Sequence, residues 1–265
     1  MSMYETRKRV IFDLLGQRGT VTIAELKSTL GVSDMTVRRD IKMMAEEGLL
    51  RRVHGGAVAI EEQYEDTSFL SRQVEELERK QAIASRAMEF LNGGESIYLD
   101  GSTTCGELAK LLATTDKSFL VVTDSLYVIL ELNNKKNIEL LVLGGVLDKD
   151  GNTFDGILSV DNARKVMVDR CFFSAKGFST DYISNAVMTG SQVKQLMIHQ
   201  AHKCFLLADS TKFGKRGVIK LCDWEDVDVL VSDDALDQRE LKPIAQQKTV
   251  IHLVHFPLTP TKDVS

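Results

Sequence analysis

Residues 33–42 read SDMTVRRDIK, which places two arginines and a lysine on one short segment with helical periodicity. At about 100° per residue, Val37, Ile41 and Met44 fall on one side of the helix, and Arg39 points to the opposite side. An amphipathic helix of this kind buries its apolar side and exposes its basic side. An ordinary solvated helix face gives the same charge pattern, so the neighbouring segments have to decide between the two interpretations.

The preceding residues predict a helix-turn-helix. A short helix over residues 22–30 is capped by Thr22 and stops at Gly31. Only Gly31 and Val32 separate it from Ser33, whose hydroxyl can cap the next helix. Two helices joined by so short a glycine-containing turn are typical of DNA-binding proteins, in which the second helix enters the major groove.

The following residues, LLRRVHGGAVAI, predict a strand, a Gly-Gly turn and a second strand. This hairpin would form a basic wing beside a basic helix, so one domain can contact both the groove and the flanking phosphates of double-stranded DNA. Helix spacing, turn, cap and wing agree, which favours DNA binding over a merely solvated face. The candidate DNA-binding residues are Ser33, Met35, Thr36, Arg38, Arg39, Lys42, Arg51, Arg52 and His54.

Composition separates this basic segment from the rest of the 265-residue chain, whose net charge is −5. Residues 1–57 hold ten basic and seven acidic side chains, so their net charge is +3 and that of the remainder is −8. The four cysteines are far apart and predict buried, reduced thiols without a metal site. We expect no cofactor. No apolar run approaches the ~18 residues of a membrane span, and the first residues lack a signal-peptide pattern, so a cytoplasmic protein is expected.

From residue 96 onward, seven short β-rich runs alternate with helical patterns, which predicts an α/β domain with a mostly parallel sheet. Ligands of such sheets bind at the carboxyl ends of the strands. Before this domain, residues 58–70 indicate an exposed linker. From Ser71 to Leu91 the pattern is helical, with an apolar stripe that should dock on the second domain or on another subunit.

The first strand end, in YLDGSTTCGELAKLL, combines a glycine and three hydroxyls with the start of a helix, an arrangement that suits a phosphate. Helix capping without any ligand is an equally good interpretation of this turn alone. The other strand ends add lysines, glycines and carboxylates, which together suit a phosphorylated sugar or polyol. The candidate effector-binding residues at these ends are Asp100, Gly101, Ser102, Thr103, Thr104, Thr123, Asp124, Ser125, Gly144, Gly145, Lys176, Gly177, Asp209 and Lys212.

The sequence SDMTVRRDI, followed by EEGLLRRVHGGA, resembles the DNA-binding head of the DeoR family of bacterial transcriptional regulators. The family's C-terminal pattern can be followed to about Gly214. The resemblance implies a small winged helix-turn-helix domain over residues 1–57, a linker and connector helix over 58–92, and a sugar-phosphate-sensing domain over 93–265. The last domain would be an α/β domain with a mostly parallel sheet resembling ribose-5-phosphate isomerase.

The resemblance also assigns roles to residues. It identifies LDGSTT as the phosphate loop and adds Lys194, from a recurrent Val-Lys pair, to the effector site. Arg72 and Lys80 stand where the family often has basic residues, although a pair of solvated charges is an equal alternative. Asp124 stands where the family commonly has asparagine. Because a carboxylate repels a phosphate, Asp124 should face the sugar, or the ligand is unusual.

Two other features have plainer interpretations. His199 and His202 lie three residues apart on a predicted helix, but no third ligand is near in sequence, so surface or interface histidines are expected in place of a metal site. Trp224 lies in a charged loop, where it is a candidate anchor for a subunit contact.

The expected function is a DNA-binding transcriptional regulator, in the family's usual way a repressor of a carbohydrate-utilisation operon. A phosphorylated sugar or polyol would modulate its operator binding, and symmetric operators favour a homodimer or homotetramer. The alternative is a sugar-phosphate isomerase with an accessory DNA-binding head. It would need a base beside the substrate carbon, for which Asp100, Asp124, Asp209 and Lys176 are conceivable candidates. We rank it lower because fold does not imply function.

Overall fold

The computed structural model describes residues 3–18, 20–46, 49–53, 55–58, 69–149, 152–186, 188 and 190–255. The chain divides into two compact units, Met1–Glu65 and Asp66–Ser265. Most of the predicted linker, residues 59–68, lies outside the described residues.

The smaller unit is a winged helix-turn-helix, which confirms the prediction. Its helices pack around a core that includes Ile11, Leu26, Val37, Ile41 and Met44. Its strands form one antiparallel sheet in the order β1-β3-β2. The elements are α1 (Met3–Arg18), β1 (Thr20–Thr22), α2 (Ile23–Leu30), α3 (Asp34–Glu46), β2 (Arg51–Val53) and β3 (Gly56–Val58).

The predicted helix caps are present. Thr22 and Glu25 form a reciprocal capping box at the start of α2, and Gly31 ends that helix in the left-handed conformation at φ 63°. The backbone N–H of Thr36 donates to the Ser33 hydroxyl over 3.3 Å, which caps α3. These local bonds explain why two short helices begin and end where the sequence indicates.

Strand β1 was not predicted, because its three residues are too few to show a period. It pairs with β3, and a Cβ on Gly56 would lie 2.0 Å from the Val21 carbonyl oxygen. Only glycine therefore allows β3 to approach β1 so closely, which gives the second glycine of the wing turn a structural role.

The larger unit contains the predicted α/β domain. Its elements are α4 (Phe69–Val74), α5 (Leu77–Met88), β4 (Ser96–Leu99), α6 (Thr103–Leu112), β5 (Phe119–Thr123), α7 (Leu126–Leu132), β6 (Ile138–Val142), β7 (Val146–Leu147), β8 (Phe154–Asp155), α8 (Ile157–Ala163), β9 (Val168–Phe173), β10 (Gly177–Phe178), β11 (Ile183–Asn185), α9 (Ser191–Gln200), β12 (Ala201–Leu207), β13 (Ile219–Cys222), β14 (Val229–Asp233), α10 (Gln238–Ala245) and β15 (Val250–Val254).

The seven predicted strands form one sheet in the order β15-β14-β12-β9-β4-β5-β6, and every pairing in it is parallel. Alternate residues of each strand enter two apolar layers: Tyr98 packs on one face, and Ile97 and Leu99 pack on the other. Both faces are buried, which explains why the strands appear in the sequence as nearly continuous apolar runs. The larger unit also contains two smaller antiparallel sheets, β7-β8 and β10-β11-β13.

Two expectations need correction. The single helix predicted from Ser71 to Leu91 is two helices, α4 and α5, separated at Glu76, which adopts the left-handed conformation at φ 49°. Docking of this segment on the larger unit is confirmed, since Ile83 packs in its core. Trp224 is not a surface anchor: it is 0% exposed, and its Nε1 donates to the Ser179 carbonyl over 2.7 Å.

Candidate DNA-binding surface and effector site

Helix α3 presents a basic face to solvent. Arg38, Arg39 and Lys42 are exposed, as is Met35 near the start of the helix. Val37, Ile41 and Met44 are buried beneath them, as the helical period predicts. This is the geometry that a helix needs in order to enter a major groove.

A buried ion pair, which the sequence reading missed, fixes the rotation of α3. Asp40 is 0% exposed, and its two oxygens accept from Nε and Nη2 of Arg7 on α1, over 2.6 and 3.1 Å. A bidentate pair of this kind resists rotation about the helix axis. Because Asp40 directly follows Arg38 and Arg39, the pair holds both arginines on the outer side. The sequence offers only a weak signal for it, an acidic residue on the apolar side of the helix.

The remaining DNA-binding candidates lie on the wing and at the start of α3. Arg51 and Arg52 are exposed on β2, whose partner strand β3 lies between it and β1. Ser33 and Thr36 contact each other through their hydroxyls over 3.0 Å at the start of α3. The side chain of His54 lies outside the described residues.

At the carboxyl end of the parallel sheet, Asp100 organises the predicted phosphate loop. It is fully buried, and its oxygens accept from the backbone N–H groups of Ser102 and Ser174, both over 2.9 Å, and from Lys194 Nζ over 2.8 Å. Burial alone would raise the pKa of Asp100, but the Lys194 charge and these hydrogen bonds hold that pKa below its usual value. Lys194 also donates to the Ser174 carbonyl over 2.9 Å. The pair therefore joins the ends of β4 and β9 to α9.

The phosphate loop continues into α6, a helix of ten residues. Ser102 caps it by accepting from the Cys105 N–H over 3.2 Å. Thr103 and Thr104 in the first turn are buried, and the Thr104 hydroxyl has no hydrogen-bond partner among the described residues. A fully buried hydroxyl without a partner is costly, and at a helix N-terminus an anion would supply one.

A segment that the sequence reading overlooked covers this loop. Asn152 Nδ2 donates to the Gly101 carbonyl over 2.9 Å, while its Oδ1 accepts from the Ser125 hydroxyl over 3.2 Å. A Cβ on Gly101 would lie 2.6 Å from Thr153 Oγ1. The close neighbour of Gly101 is thus this segment of the chain. No spacing in the sequence indicates it, because the contact joins residues about fifty positions apart.

Lysines from three elements surround the same edge. Lys212 Nζ donates to the Ser174 hydroxyl over 2.7 Å, which places it beside the backbone that Lys194 contacts. Lys80 on α5 is only 4% exposed, and its ammonium donates to the carbonyls of Arg72 in α4 and of Glu75 at the break between α4 and α5. Burial, reinforced by the nearby charge of Lys212, lowers the pKa of Lys80 to about 8. The interpretation of Lys80 as a solvated surface charge is therefore wrong.

The remaining candidate carboxylates are bound within the protein. Asp209 accepts from the Thr211 N–H over 3.1 Å. Burial alone would raise the pKa of Asp209, but the nearby charge of Lys212 and the hydrogen bonds from Thr211 hold that pKa below its usual value. Asp124 is 2% exposed and accepts from the Tyr98 hydroxyl over 3.0 Å. Burial, reinforced by the Asp100 charge, raises the pKa of Asp124 to about 7. Thr123 donates to the Leu99 carbonyl over 2.7 Å, and Ser125 caps α7.

The other strand-end candidates serve close backbone packing. Gly144 and Gly145 have φ values of 65° and 123°, and a Cβ on Gly145 would lie 1.9 Å from the Ser159 hydroxyl. A Cβ on Gly177 would lie 2.1 Å from the Lys215 carbonyl oxygen. The backbone N–H of Lys176 donates to the Ser184 carbonyl over 3.0 Å. These roles are sufficient to explain the three glycines without a ligand.

Two surface cavities lie away from this edge. One, of about 600 Å3, is lined by residues at the amino ends of the strands, including Asp169, Arg170 and His202. The other, of about 440 Å3, lies between α8 and α9 and is lined by residues that include His199. Within the described ranges, no group of three or more histidine, cysteine, aspartate or glutamate side chains is placed to hold a metal ion. Nor is any helix in them long and apolar enough to cross a membrane.

Comparison with known proteins covers both units. Residues 7–63 match the DeoR-like helix-turn-helix domain, and residues 75–234 match the DeoR C terminal sensor domain. The chain is 32% identical to the HTH-type transcriptional regulator GolR of Listeria innocua, over 88% of this chain and 91% of GolR. It is 29% identical to the lactose phosphotransferase system repressor of Lactococcus lactis, over 92% and 97% of the two chains. It is 31% identical to the L-fucose operon activator of Haemophilus influenzae, over 87% and 92%.

Among solved structures, ribose 5-phosphate isomerase of Methanocaldococcus jannaschii matches with a TM-score of 0.39 and 15% identity, over 51% of this chain and 53% of the isomerase. A similarity at that level carries no argument about ligand or reaction. The two family matches, and the relatives that align over most of their length, do identify the family, and they agree with the exposed basic helix, the wing and the parallel sheet. The chain belongs to the DeoR family of DNA-binding transcriptional regulators.

Proposed function

We propose that this regulator represses a carbohydrate-utilisation operon and that a phosphorylated sugar or polyol, bound at the carboxyl edge of the sheet, modulates its operator binding. The name of the lactose phosphotransferase system repressor supports both the sign and the class of operon. The L-fucose operon activator has the opposite sign in its name, so the sign needs a direct measurement.

Two buried lysines without a contacting carboxylate carry the effector proposal. Lys194 is paired with Asp100, but neither Lys80 nor Lys212 has a carboxylate within 4.0 Å among the described residues, and the Asp209 charge acts on both from farther away. Burying an ammonium without a contacting counter-charge costs free energy, which a bound anion would offset. The N-terminus of α6 adds positive potential at the same edge, and the Thr104 hydroxyl there has no hydrogen-bond partner in the part of the chain that the structure describes. A phosphate group fits this arrangement.

Within the proposed site, the hydrogen bonds separate residues that shape the loops from residues that would contact the effector. The oxygens of Asp100, Asp124 and Asp209 already accept hydrogen bonds from the protein itself, so these residues shape the loops. Direct contact with the effector then falls to the hydroxyls of the phosphate loop, the first N–H groups of α6, and Lys212 and Lys80. The same engagement of the carboxylates argues against an isomerase, which needs a base free to reach a substrate carbon.

The proposed DNA contacts are those of the exposed face of α3 and of the wing. Arg38, Arg39 and Lys42 would enter the major groove, while Arg51 and Arg52 would contact phosphates. Operators with two-fold symmetry are read by paired heads, so we propose a homodimer or homotetramer as the DNA-binding form.

A thermal-shift screen of phosphorylated sugars and polyols, followed by operator binding with each hit, tests the effector proposal. A ligand of the folded protein raises its melting temperature, and it should lower operator affinity if the protein is a repressor relieved by its effector. Lys212→Met and Thr104→Val should keep operator binding but lose most of the ligand-induced shift. Lys165→Met, a change at an exposed lysine, serves as the matched control.

Three outcomes would contradict the proposal. A full response in both site variants would show that the effector binds elsewhere. A hit that raises operator affinity would reverse the sign. Turnover of any sugar phosphate by the purified protein would favour the isomerase alternative.

A further inference from the structure

Met35 is the one large apolar side chain on the described basic face of α3 that is almost fully exposed. Its exposed fraction is 80%, whereas Met44 on the same helix is 0% exposed and packs in the core. A single exposed hydrophobic residue is common on protein surfaces and means little alone. Its position gives it meaning here, because Met35 is the second residue of α3 and lies at the helix end from which base contacts are usually made.

Met35 shares one stripe of the helix with the basic residues. Arg38, Arg39 and Lys42 follow it at three, four and seven positions, the spacing of neighbours on one helix face. The rise from Met35 to Lys42 is about 10 Å, at 1.5 Å per residue, which corresponds to roughly three base pairs of B-DNA. A helix that places these cations at the groove therefore places the Met35 thioether there too.

The chemistry of the groove restricts the partner of such a side chain. A thioether is at best a weak acceptor, and its methyl group contacts apolar surface. Among the base edges of the major groove, thymine alone presents an apolar group, its 5-methyl. We infer that Met35 contacts the methyl group of a thymine in the operator, within about two base pairs of a guanine bound by Arg38 or Arg39. This inference rests on the DNA-binding face proposed above.

The test removes one methyl group at a time. Duplexes selected by the wild-type protein from a random-sequence pool supply the operator, and each thymine of a half-site is then replaced by deoxyuridine, which lacks only the 5-methyl. One replacement should weaken binding by wild type about 3- to 5-fold, the loss expected for one methyl group removed from an apolar contact. Met35→Ala should bind the thymine duplex about as weakly as wild type binds that deoxyuridine duplex, and it should not distinguish the two.

Met43→Ala is the matched control, since Met43 is 37% exposed on the same helix. It should retain the full response to the replacement that Met35→Ala ignores. Tight binding of the selected duplexes with no sensitive thymine, or a sensitivity that survives in Met35→Ala, would overturn the inference while leaving DNA binding intact. If no duplex is enriched at all, the proposed DNA-binding face fails, and the inference fails with it.

Discussion

At the scale of single residues, the Asp100–Lys194 pair determines the shape of the carboxyl edge of the sheet, where we propose the effector site. Both side chains are buried, and together they contact the phosphate loop and the backbone at Ser174. Breaking such a pair destabilises the fold strongly, because removing one partner leaves the other as an unpaired buried charge.

Lys194→Met should therefore lower the free energy of unfolding by about 3–5 kcal/mol, measured by urea denaturation at neutral pH. The double variant Asp100→Asn with Lys194→Met should lose clearly less than the sum of the two single losses, since it leaves no unpaired charge. Additive losses in this cycle would show that the two groups act independently.

The ionisation of Asp124 leads to a second prediction, which concerns the pH dependence of the free energy of unfolding. Its pKa is raised to about 7 in the folded protein, from an ordinary value of 3.8. Between those values the folded state holds a proton that the unfolded state has released, so this group's contribution to stability is present at low pH and is lost as pH rises towards 7. Asp124→Asn, which cannot ionise, should remove this decline, of the order of 1–3 kcal/mol in urea unfolding between pH 5 and 7.5. The exposed Asp116→Asn is the control, and an unchanged pH profile in Asp124→Asn would refute the assignment.

At the scale of elements, α3 and the wing should contribute differently to DNA binding. Arg39→Ala should abolish sequence-specific binding with little change in melting temperature, because Arg39 is exposed and lies opposite the buried side of α3. Arg52→Ala should weaken binding on all sequences by a similar factor and reduce the salt slope by about 1, as expected for one lost phosphate contact. Fluorescence anisotropy with operator and random duplexes, at several salt concentrations, measures both. Equal operator binding by wild type and Arg39→Ala would refute the assigned face.

The elements also show how much the sequence alone could predict. All seven sheet strands and the helix-turn-helix could be predicted, because burial on both faces of a parallel sheet and on one face of a helix leaves local patterns. The break at Glu76 and the strand β1 could not, since a left-handed residue and a three-residue strand leave no period. Lys80 shows a further limit: its ammonium binds carbonyls in α4 and just after it, so its burial depends on the break between two helices that the sequence pattern shows as one.

The candidate site divides in the same way. The phosphate loop and Lys212 could be proposed from glycine, hydroxyl and lysine at strand ends. The covering segment around Asn152, and the use of Asp100 and Asp124 as internal acceptors, depend on contacts across the fold. The sequence therefore predicts a candidate ligand-binding edge, but it does not show which atoms of that edge are already engaged within the protein.

At the scale of the whole molecule, regulation requires that the effector and the operator influence each other's affinity. Thermodynamic linkage makes this influence reciprocal. If an effector lowers operator affinity by some factor, saturating operator DNA should lower effector affinity by the same factor, within error. Isothermal titration of the effector, with and without the operator duplex, measures this factor. Arg39→Ala should bind the effector equally well with and without the operator duplex. If a random duplex also reduces the effector affinity of the wild-type protein, the effect is a non-specific one of charge.

Strand β3 lies between β1 and β2, and the backbone N–H of Ile23 at the start of α2 donates to the Gly55 carbonyl over 2.9 Å. Backbone hydrogen bonds therefore join the hairpin to the helix-turn-helix, and we expect the two to move together. Release of the wing from DNA while the helix-turn-helix stays bound is therefore disfavoured. If the proposed effector regulates DNA binding, we therefore expect it to change the placement of whole DNA-binding domains and not the conformation of the wing alone.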